Sequence, residues 1–108
     1  MVTEQPSTTY IDDVAGSDAD FRASFINIVK MEFPEEYQYY LKMYEEGNLT
    51  ETASIVHKLK HKLNIVGLQE GYKLAVTYEE ELKAGSAALH TTFLPVLDKA
   101  KEFITTLE

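Results

Sequence analysis

The strongest constraint on the fold is a helical hydrophobic period in residues 49–68. At about 100° per residue, one stripe collects the residues Thr52, Val56, Leu59, Leu63 and Val66. Polar and charged residues stand between them, so the sequence predicts an amphipathic helix with one buried face and one solvated face. His57 falls on the solvated face. Lys60 falls at the edge of the stripe, where its stem can cover apolar surface while its ammonium stays in water beside the imidazole.

Glycines and prolines divide the rest of the chain into further helical segments. Besides the central helix, helices are predicted over 10–15, from Ser17 to about Glu32, from Pro34 to Gly47, from about Gln69 to Ala84 and over 87–107. The helix that begins at Ser17 is expected to bury a stripe of Phe21, Phe25, Ile28 and Val29. Asn48 is expected to cap the central helix, with Glu51 in the position of a capping box. Pro95 is expected to kink the last helix without ending it.

These segments predict an all-α fold. The sequence contains neither strand-like alternation nor an internal repeat, and short connections favour antiparallel neighbours. We therefore expect an antiparallel four-helix bundle with a short N-terminal accessory helix. Residues 1–9 are predicted to form a flexible N-terminal tail, and residues 10–108 the bundle domain.

Composition limits the classes of function. A chain of 108 residues with 44% hydrophobic residues supports one domain with its own core, and it has no cysteine for disulfides or thiolate metal sites. Its net charge of −8 argues against nucleic acid as a partner, because phosphate binding needs a basic surface. The sequence shows no membrane span and no signal peptide at its start. We expect a monomeric cytoplasmic protein.

His57 lies within a short motif. A small apolar residue precedes it, Leu59 and Lys60 follow in the pattern His-x-Leu-Lys, and Gly67 comes ten positions after the histidine. This pattern resembles the signature of histidine-containing phosphotransfer (HPt) domains. The order and lengths of the predicted helices also resemble that family, from about Tyr10 to Leu107. The resemblance implies that His57 is the residue that accepts a phosphoryl group.

One position departs from the family's pattern. The family usually has glycine four residues after the phosphorylated histidine, and this chain has His61. A residue one helical turn away lies beside His57. The surface on which a partner would dock is predicted to contain Ser54, His61 and Asn64, and the His61 ring is expected to occupy docking space. The opposite role, in which His61 assists by contacting phosphoryl oxygens, stays open.

A carboxylate falls inside the apolar arc of the helix after Gly67. Glu79 shares that arc with Leu82, and a buried carboxylate requires a donor because an unpaired buried charge is costly. If two antiparallel helices turn near Leu68, His57 lies eleven positions before the turn and Glu79 eleven after it, at similar height. The resemblance implies the same contact, since the family commonly has an acidic or amide residue here that holds the imidazole. The alternative is an ordinary glutamate at the core boundary.

The chemistry of phosphoryl transfer suits these residue types. A neutral imidazole nitrogen is a good nucleophile when a hydrogen bond fixes its tautomer, which Glu79 would provide. Lys60, and secondarily Lys58, would stabilise the phosphoryl charge. Three of the ten basic residues lie in 58–62, which makes a local positive spot on an acidic protein. The ordinary interpretation of such a run is a solvated helix face.

We therefore expect a phosphocarrier rather than an enzyme. The sequence has no Gly-rich phosphate loop, no Walker pattern and no acidic triplet typical of a magnesium site, so no cofactor is predicted. The chain would accept and donate a phosphoryl group between receiver-domain aspartates of response regulators or hybrid histidine kinases. The metal ion and much of the catalysis would come from the partner.

Two alternatives remain at this level. The first is an HPt-shaped docking module with weak or lost phosphotransfer, which His61 favours. The second is a metal-binding helical protein, because His57 and His61 have the i, i+4 spacing at which two imidazoles share a metal ion. Against the second stand Lys58, Lys60 and Lys62, which oppose a cation. The site prediction therefore includes no metal.

Overall fold

A computed structural model describes residues 4–108 of the chain. Within this range it contains no strand and five α-helices, namely α1 (Thr9–Ala15), α2 (Ala19–Glu45), α3 (Leu49–Ile65), α4 (Gln69–Lys83) and α5 (His90–Thr106). The predicted all-α class is confirmed.

The four longer helices contact one another in a closed order. α2 packs against α3, α3 against α4, α4 against α5, and α5 contacts α2 again, while α1 packs against α2 and α3. The largest fully buried side chains are Tyr40, Tyr78, Phe33, Phe93, Ile11, Ile26, Leu59, Leu63, Leu68, Leu82, Leu97 and Val29. Every helix contributes to this core. Among residues 4–108, none of the helices has both the length and the apolar character that a bilayer span requires.

Helix α3 has the buried face that its sequence predicts. All five predicted stripe residues, Thr52, Val56, Leu59, Leu63 and Val66, are fully buried. At its start the Asn48 side chain accepts a hydrogen bond from the Glu51 N–H at 3.1 Å, as predicted. The Glu51 carboxylate does not complete a capping box, because it accepts a hydrogen bond from the Tyr39 hydroxyl at 2.6 Å instead.

Helix α2 corrects the prediction of a new helix at Pro34. It runs unbroken from Ala19 to Glu45 with the proline inside. The proline removes one backbone hydrogen bond, but packing keeps the register across it. Phe33 and Tyr37 flank the proline, and both are buried on the same stripe as Val29 and Tyr40. A single helix buries all four of these side chains.

The buried stripe at the start of α2 also differs from the prediction. Ile26 and Val29 are buried, whereas Phe21 and Ile28 are 45% and 52% exposed. Phe21 packs edge-to-face on Phe25 at the surface, with ring centroids 5.9 Å apart. This helix has two overlapping apolar stripes. The stripe that continues past Pro34 is the one buried where α2 packs against α3 and α5.

Helix ends agree with the predictions to within a few residues. Asp18, and not Ser17, caps α2, because its carboxylate accepts the Phe21 N–H at 2.9 Å. α5 begins at His90, three residues later than expected. As predicted, it continues past Pro95.

Hydrogen bonds hold the start of the described chain against the helices. The Gly71 N–H donates to the Glu4 carboxylate at 2.8 Å, and the Lys99 ammonium donates to the Glu4 carbonyl at 2.7 Å. The Ser7 N–H donates to the Val66 carbonyl at 2.8 Å. Residues 1–3 of the predicted flexible tail lie outside the described residues. Glu4 and Ser7 are bonded to the domain through these contacts, and α1 already includes residue 9.

Gly71 lies where α4 packs closely against α5. A Cβ atom at this position would lie 2.7 Å from Val96 Cγ1, well inside van der Waals contact. Gly71→Ala should therefore lower the free energy of unfolding by about 1 kcal/mol, since overpacking of about 1–3 kcal/mol outweighs the gain of about 1 kcal/mol in helix propensity. Urea unfolding measures the change. In a Val96→Ala background the loss should disappear, and a Gly71→Ala protein more stable than the parent would refute the close contact.

Candidate functional site

His57 is presented on the outer face of α3. Its neighbours Val56 and Leu59 point into the core and are fully buried, whereas the His57 side chain is 53% exposed. This orientation follows from helix geometry, because residue 57 lies well off the buried stripe. The structure thus leaves the imidazole accessible to a partner.

The structure brings His57 and Glu79 together across the α3 and α4 pair. His57 Nδ1 lies 3.2 Å from Glu79 Oε2 and 3.3 Å from Oε1. An ionised carboxylate only accepts hydrogen bonds, so the contact requires a hydrogen on Nδ1. A neutral His57 then carries its lone pair on Nε2, where a nucleophile needs it.

Glu79 is the centre of a small charge cluster. Its side chain is 9% exposed, and besides His57 it accepts hydrogen bonds from Lys60 and Lys83, each at 3.0 Å. Burial alone would raise the pKa of Glu79, but the hydrogen bonds from Lys60 and Lys83 outweigh burial and hold that pKa below its ordinary value. The stability gained is complete above the ordinary pKa of glutamate and is lost as the pH falls through the lowered pKa. Glu79 is therefore ionised at neutral pH.

Lys60 takes a different position from the one predicted. Its ammonium was expected in water beside the imidazole, but its side chain is 14% exposed and pairs with Glu79 on α4. The buried carboxylate draws the ammonium inward because each charge needs a partner there. Lys60 supports the site through Glu79.

The predicted positive spot at residues 58–62 is dispersed. Lys62 is buried on the opposite flank of α3, where it pairs with Glu32 at 2.9 Å and Glu36 at 3.1 Å. Lys60 faces α4, and Lys58 remains on the exposed face. Only one of these three ammonium groups therefore faces solvent next to His57.

Lys83 belongs to the site, and the sequence prediction missed it. Its side chain is 65% exposed, pairs with Glu79, and lines one cleft of about 520 Å³ together with His57, Lys58 and Ser54. The signal for it was its i, i+4 spacing from Glu79, which places both on one face of α4. Lys83 supplies an exposed cation within this cleft.

The predicted docking residues occupy different surroundings. His61 is exposed, and its ring lies edge-on to the His57 ring with centroids 5.1 Å apart. Ser54 is exposed and lines the cleft. Asn64 is half-buried, and its side-chain oxygen accepts a hydrogen bond from Gln69 at 3.0 Å.

Gly67 serves the turn that sets the height of α4 against α3. It has a φ of +81°, a conformation that favours glycine, and it follows the C-terminus of α3. A Cβ atom there would lie 2.8 Å from Ser7 Oγ. Its contribution to the site is the antiparallel turn that places Glu79 beside His57.

Within residues 4–108 no group of three or more metal-ligating acidic or histidine side chains is placed to hold a metal ion. Comparison with protein-family models, with curated proteins and with solved structures gives no significant match. A function for this chain therefore has to be inferred from its own residues.

Proposed function

We propose that this protein is a phosphorelay intermediate that accepts and donates a phosphoryl group on His57 between receiver-domain aspartates of a two-component pathway. The observation that carries the proposal is an exposed imidazole whose Nδ1 is held by a buried carboxylate at 3.2 Å. A fixed tautomer with a free Nε2 is the arrangement that a phosphoryl acceptor requires.

The proposed fold is an HPt-like antiparallel four-helix bundle with α1 as an accessory helix. The closed order of contacts among α2, α3, α4 and α5 supports this arrangement. Three short connections join these helices, which favours antiparallel neighbours. The bundle offers a rigid helix face on which His57 meets a partner.

The transfer step is a nucleophilic substitution at phosphorus. The His57 Nε2 lone pair forms a new N–P bond, while the P–O bond of the partner's aspartyl phosphate breaks and the carboxylate leaves with the electron pair. The Nδ1 hydrogen remains in its bond to Glu79. The reverse step returns the phosphoryl group to a second aspartate.

The charges around the site fit a transient phosphoryl group. Lys60 and Lys83 together outweigh the negative charge of Glu79, and Lys58 stands exposed in the same cleft. A phosphoryl group on Nε2 gains from these cations without an enzyme's own phosphate loop, which the sequence lacks. The protein is thus proposed as a carrier that uses its partner's catalytic groups.

The direct test is transfer from a purified receiver domain that carries labelled phosphate. Label should move from the receiver to this protein as acid-labile phosphate faster than the receiver loses it to water. The test uses a panel of receivers, because the sequence does not identify the cognate one. If every labelled receiver hydrolyses at its own rate and this protein stays unlabelled, the proposal fails.

Such a result would favour the second candidate, a docking module that has lost transfer. The observation behind it is the His61 ring beside His57, on the face that a receiver must approach. Binding of a receiver without movement of label would identify this role.

His61→Ala tests whether that ring hinders docking. Alanine removes the ring with little change in helix propensity, so we expect several-fold faster transfer from a receiver to His57. The matched control is Asn64→Ala, which alters the same face one turn further on and should change the rate little. Slower transfer in His61→Ala would show that the ring assists, as a second donor to the phosphoryl oxygens.

A further inference from the structure

His57 and His61 form an exposed pair at the ring separation of a metal chelate. Their ring centroids are 5.1 Å apart and the ring planes cross at 81°. Two imidazoles bound to one ion lie roughly 5 Å apart between centroids when the metal–nitrogen bonds are about 2.0–2.1 Å long and tetrahedral. The helix already holds the rings at this separation, so side-chain rotation is the remaining movement that binding requires.

The bond from His57 to Glu79 matches the usual environment of a metal-bound histidine. Such a histidine generally donates its second ring N–H to a carboxylate, which orients the ring and makes the other nitrogen a better ligand. His57 Nδ1 has this partner at 3.2 Å, so Nε2 is the atom left to bind an ion. His61 would supply the second nitrogen.

The positive charge that opposed a cation in the sequence is largely paired in the structure. Lys60 is bonded to Glu79, and Lys62 lies on the far flank of α3 with Glu32 and Glu36. Lys58 is the residue of that run that stays on the exposed face. Lys58 and Lys83 still line the cleft beside His57, so the electrostatic objection to a metal ion is reduced for Lys60 and Lys62 alone.

We propose that His57 and His61 bind a divalent transition-metal ion of the imidazole-preferring class, such as Zn²⁺, Ni²⁺ or Cu²⁺, with water in the remaining positions. Affinity should rise from Ni²⁺ to Cu²⁺ and fall again at Zn²⁺. Metal occupancy engages the Nε2 lone pair, so it competes with phosphorylation of His57. This competition rests on the proposed function, whereas metal binding does not.

Binding is tested on the full chain with Zn²⁺ alone. Imidazole ¹⁵N signals of His57 and His61 should shift together and saturate at one ion per chain. His90 serves as an internal control because its Nδ1 is bonded to the Tyr40 hydroxyl at 2.6 Å, and its signals should stay unchanged. His61→Gln should weaken binding by about tenfold or more, because the second ligand no longer binds intramolecularly. Equal affinity in His61→Gln, or ring signals of His57 and His61 that stay unchanged with Zn²⁺, would overturn the site.

Competition is tested with phosphoramidate, a small donor that needs no receiver and no magnesium. Nε2 of His57 forms the N–P bond while the P–N bond of phosphoramidate breaks and ammonia leaves. Saturating Zn²⁺ should reduce the labelling rate of the parent protein at least about tenfold relative to the metal-free rate, and a chelator should restore it. At the Zn²⁺ concentration that slows the parent protein tenfold, a tenfold weaker site in His61→Gln is about half occupied, so labelling of this variant should slow only about twofold. Equal labelling rates with and without Zn²⁺ in the parent protein would refute competition. If phosphoramidate does not label the metal-free protein, the proposed function and the competition both fail. The metal site is decided separately, by the imidazole ¹⁵N signals of His57 and His61.

Discussion

His57→Gln should abolish phosphoryl acceptance and leave the fold intact. Glutamine has no nucleophilic ring nitrogen, so acid-labile label from a receiver or from phosphoramidate should fall to background. Stability should change by no more than about 0.5 kcal/mol, because the side chain is 53% exposed and lies off the buried stripe of α3. Label incorporation and urea unfolding, measured on the same preparation, separate lost chemistry from lost structure.

The matched control for this variant is His61→Gln, which removes the neighbouring ring on the same helix face. It should keep the label, since His61 lacks a carboxylate partner among the hydrogen bonds of the described chain. Label retained in His57→Gln and lost in His61→Gln would transfer the acceptor role to the second histidine. Label retained in both would place the phosphoryl group elsewhere.

The central helix and its partner were predictable because single-helix periodicity determines them. The stripe from Thr52 to Val66 has one solution at about 100° per residue, and all its members are buried. Gly67 then sets the turn, and equal distances along two antiparallel helices bring His57 level with Glu79. Local rules were sufficient for this part of the fold.

The charge cluster was only partly predictable, because helix periodicity gives the direction of a side chain but not its partner. Lys60 lies at the edge of the stripe, as predicted, but its ammonium pairs with Glu79 in the interface between α3 and α4. Lys62 likewise pairs with two glutamates of α2 that lie far away in sequence. Lysine stems are long enough to reach either a carboxylate or water, and tertiary packing decides between them.

Pro34 shows a different limit. A proline fits the first turn of a helix as well as a tolerated interior position, so the local rule alone favoured a helix start. The outcome depended on whether the stripes before and after it share one face, and Phe33 with Tyr37 shows that they do.

A polar network also escaped prediction, because the hydroxyls of Tyr40 and Tyr78 and the ring of His90 come from three different helices.

Replacing Glu79 should reveal it as the residue that positions His57. In Glu79→Ala, Nδ1 loses its acceptor, so the imidazole hydrogen can move to either nitrogen and fewer rings present a free Nε2. Transfer to His57 should slow on the order of tenfold. Stability should also fall by about 1–3 kcal/mol, because Lys60 is 14% exposed and would lose the carboxylate that pairs with it.

Glu79→Gln distinguishes positioning from a purely structural role. The amide oxygen can still accept the Nδ1 hydrogen, but the charge that pairs Lys60 and Lys83 is gone in both variants. We therefore expect Glu79→Gln to lose similar stability yet to keep the Nδ1–H tautomer in imidazole ¹⁵N spectra and to recover much of the transfer rate. If the two variants share one tautomer distribution and one rate, Glu79 acts only by holding the helices together. A wild-type rate in Glu79→Ala would remove the carboxylate from the site, because nothing else in the described chain is bonded to His57 Nδ1.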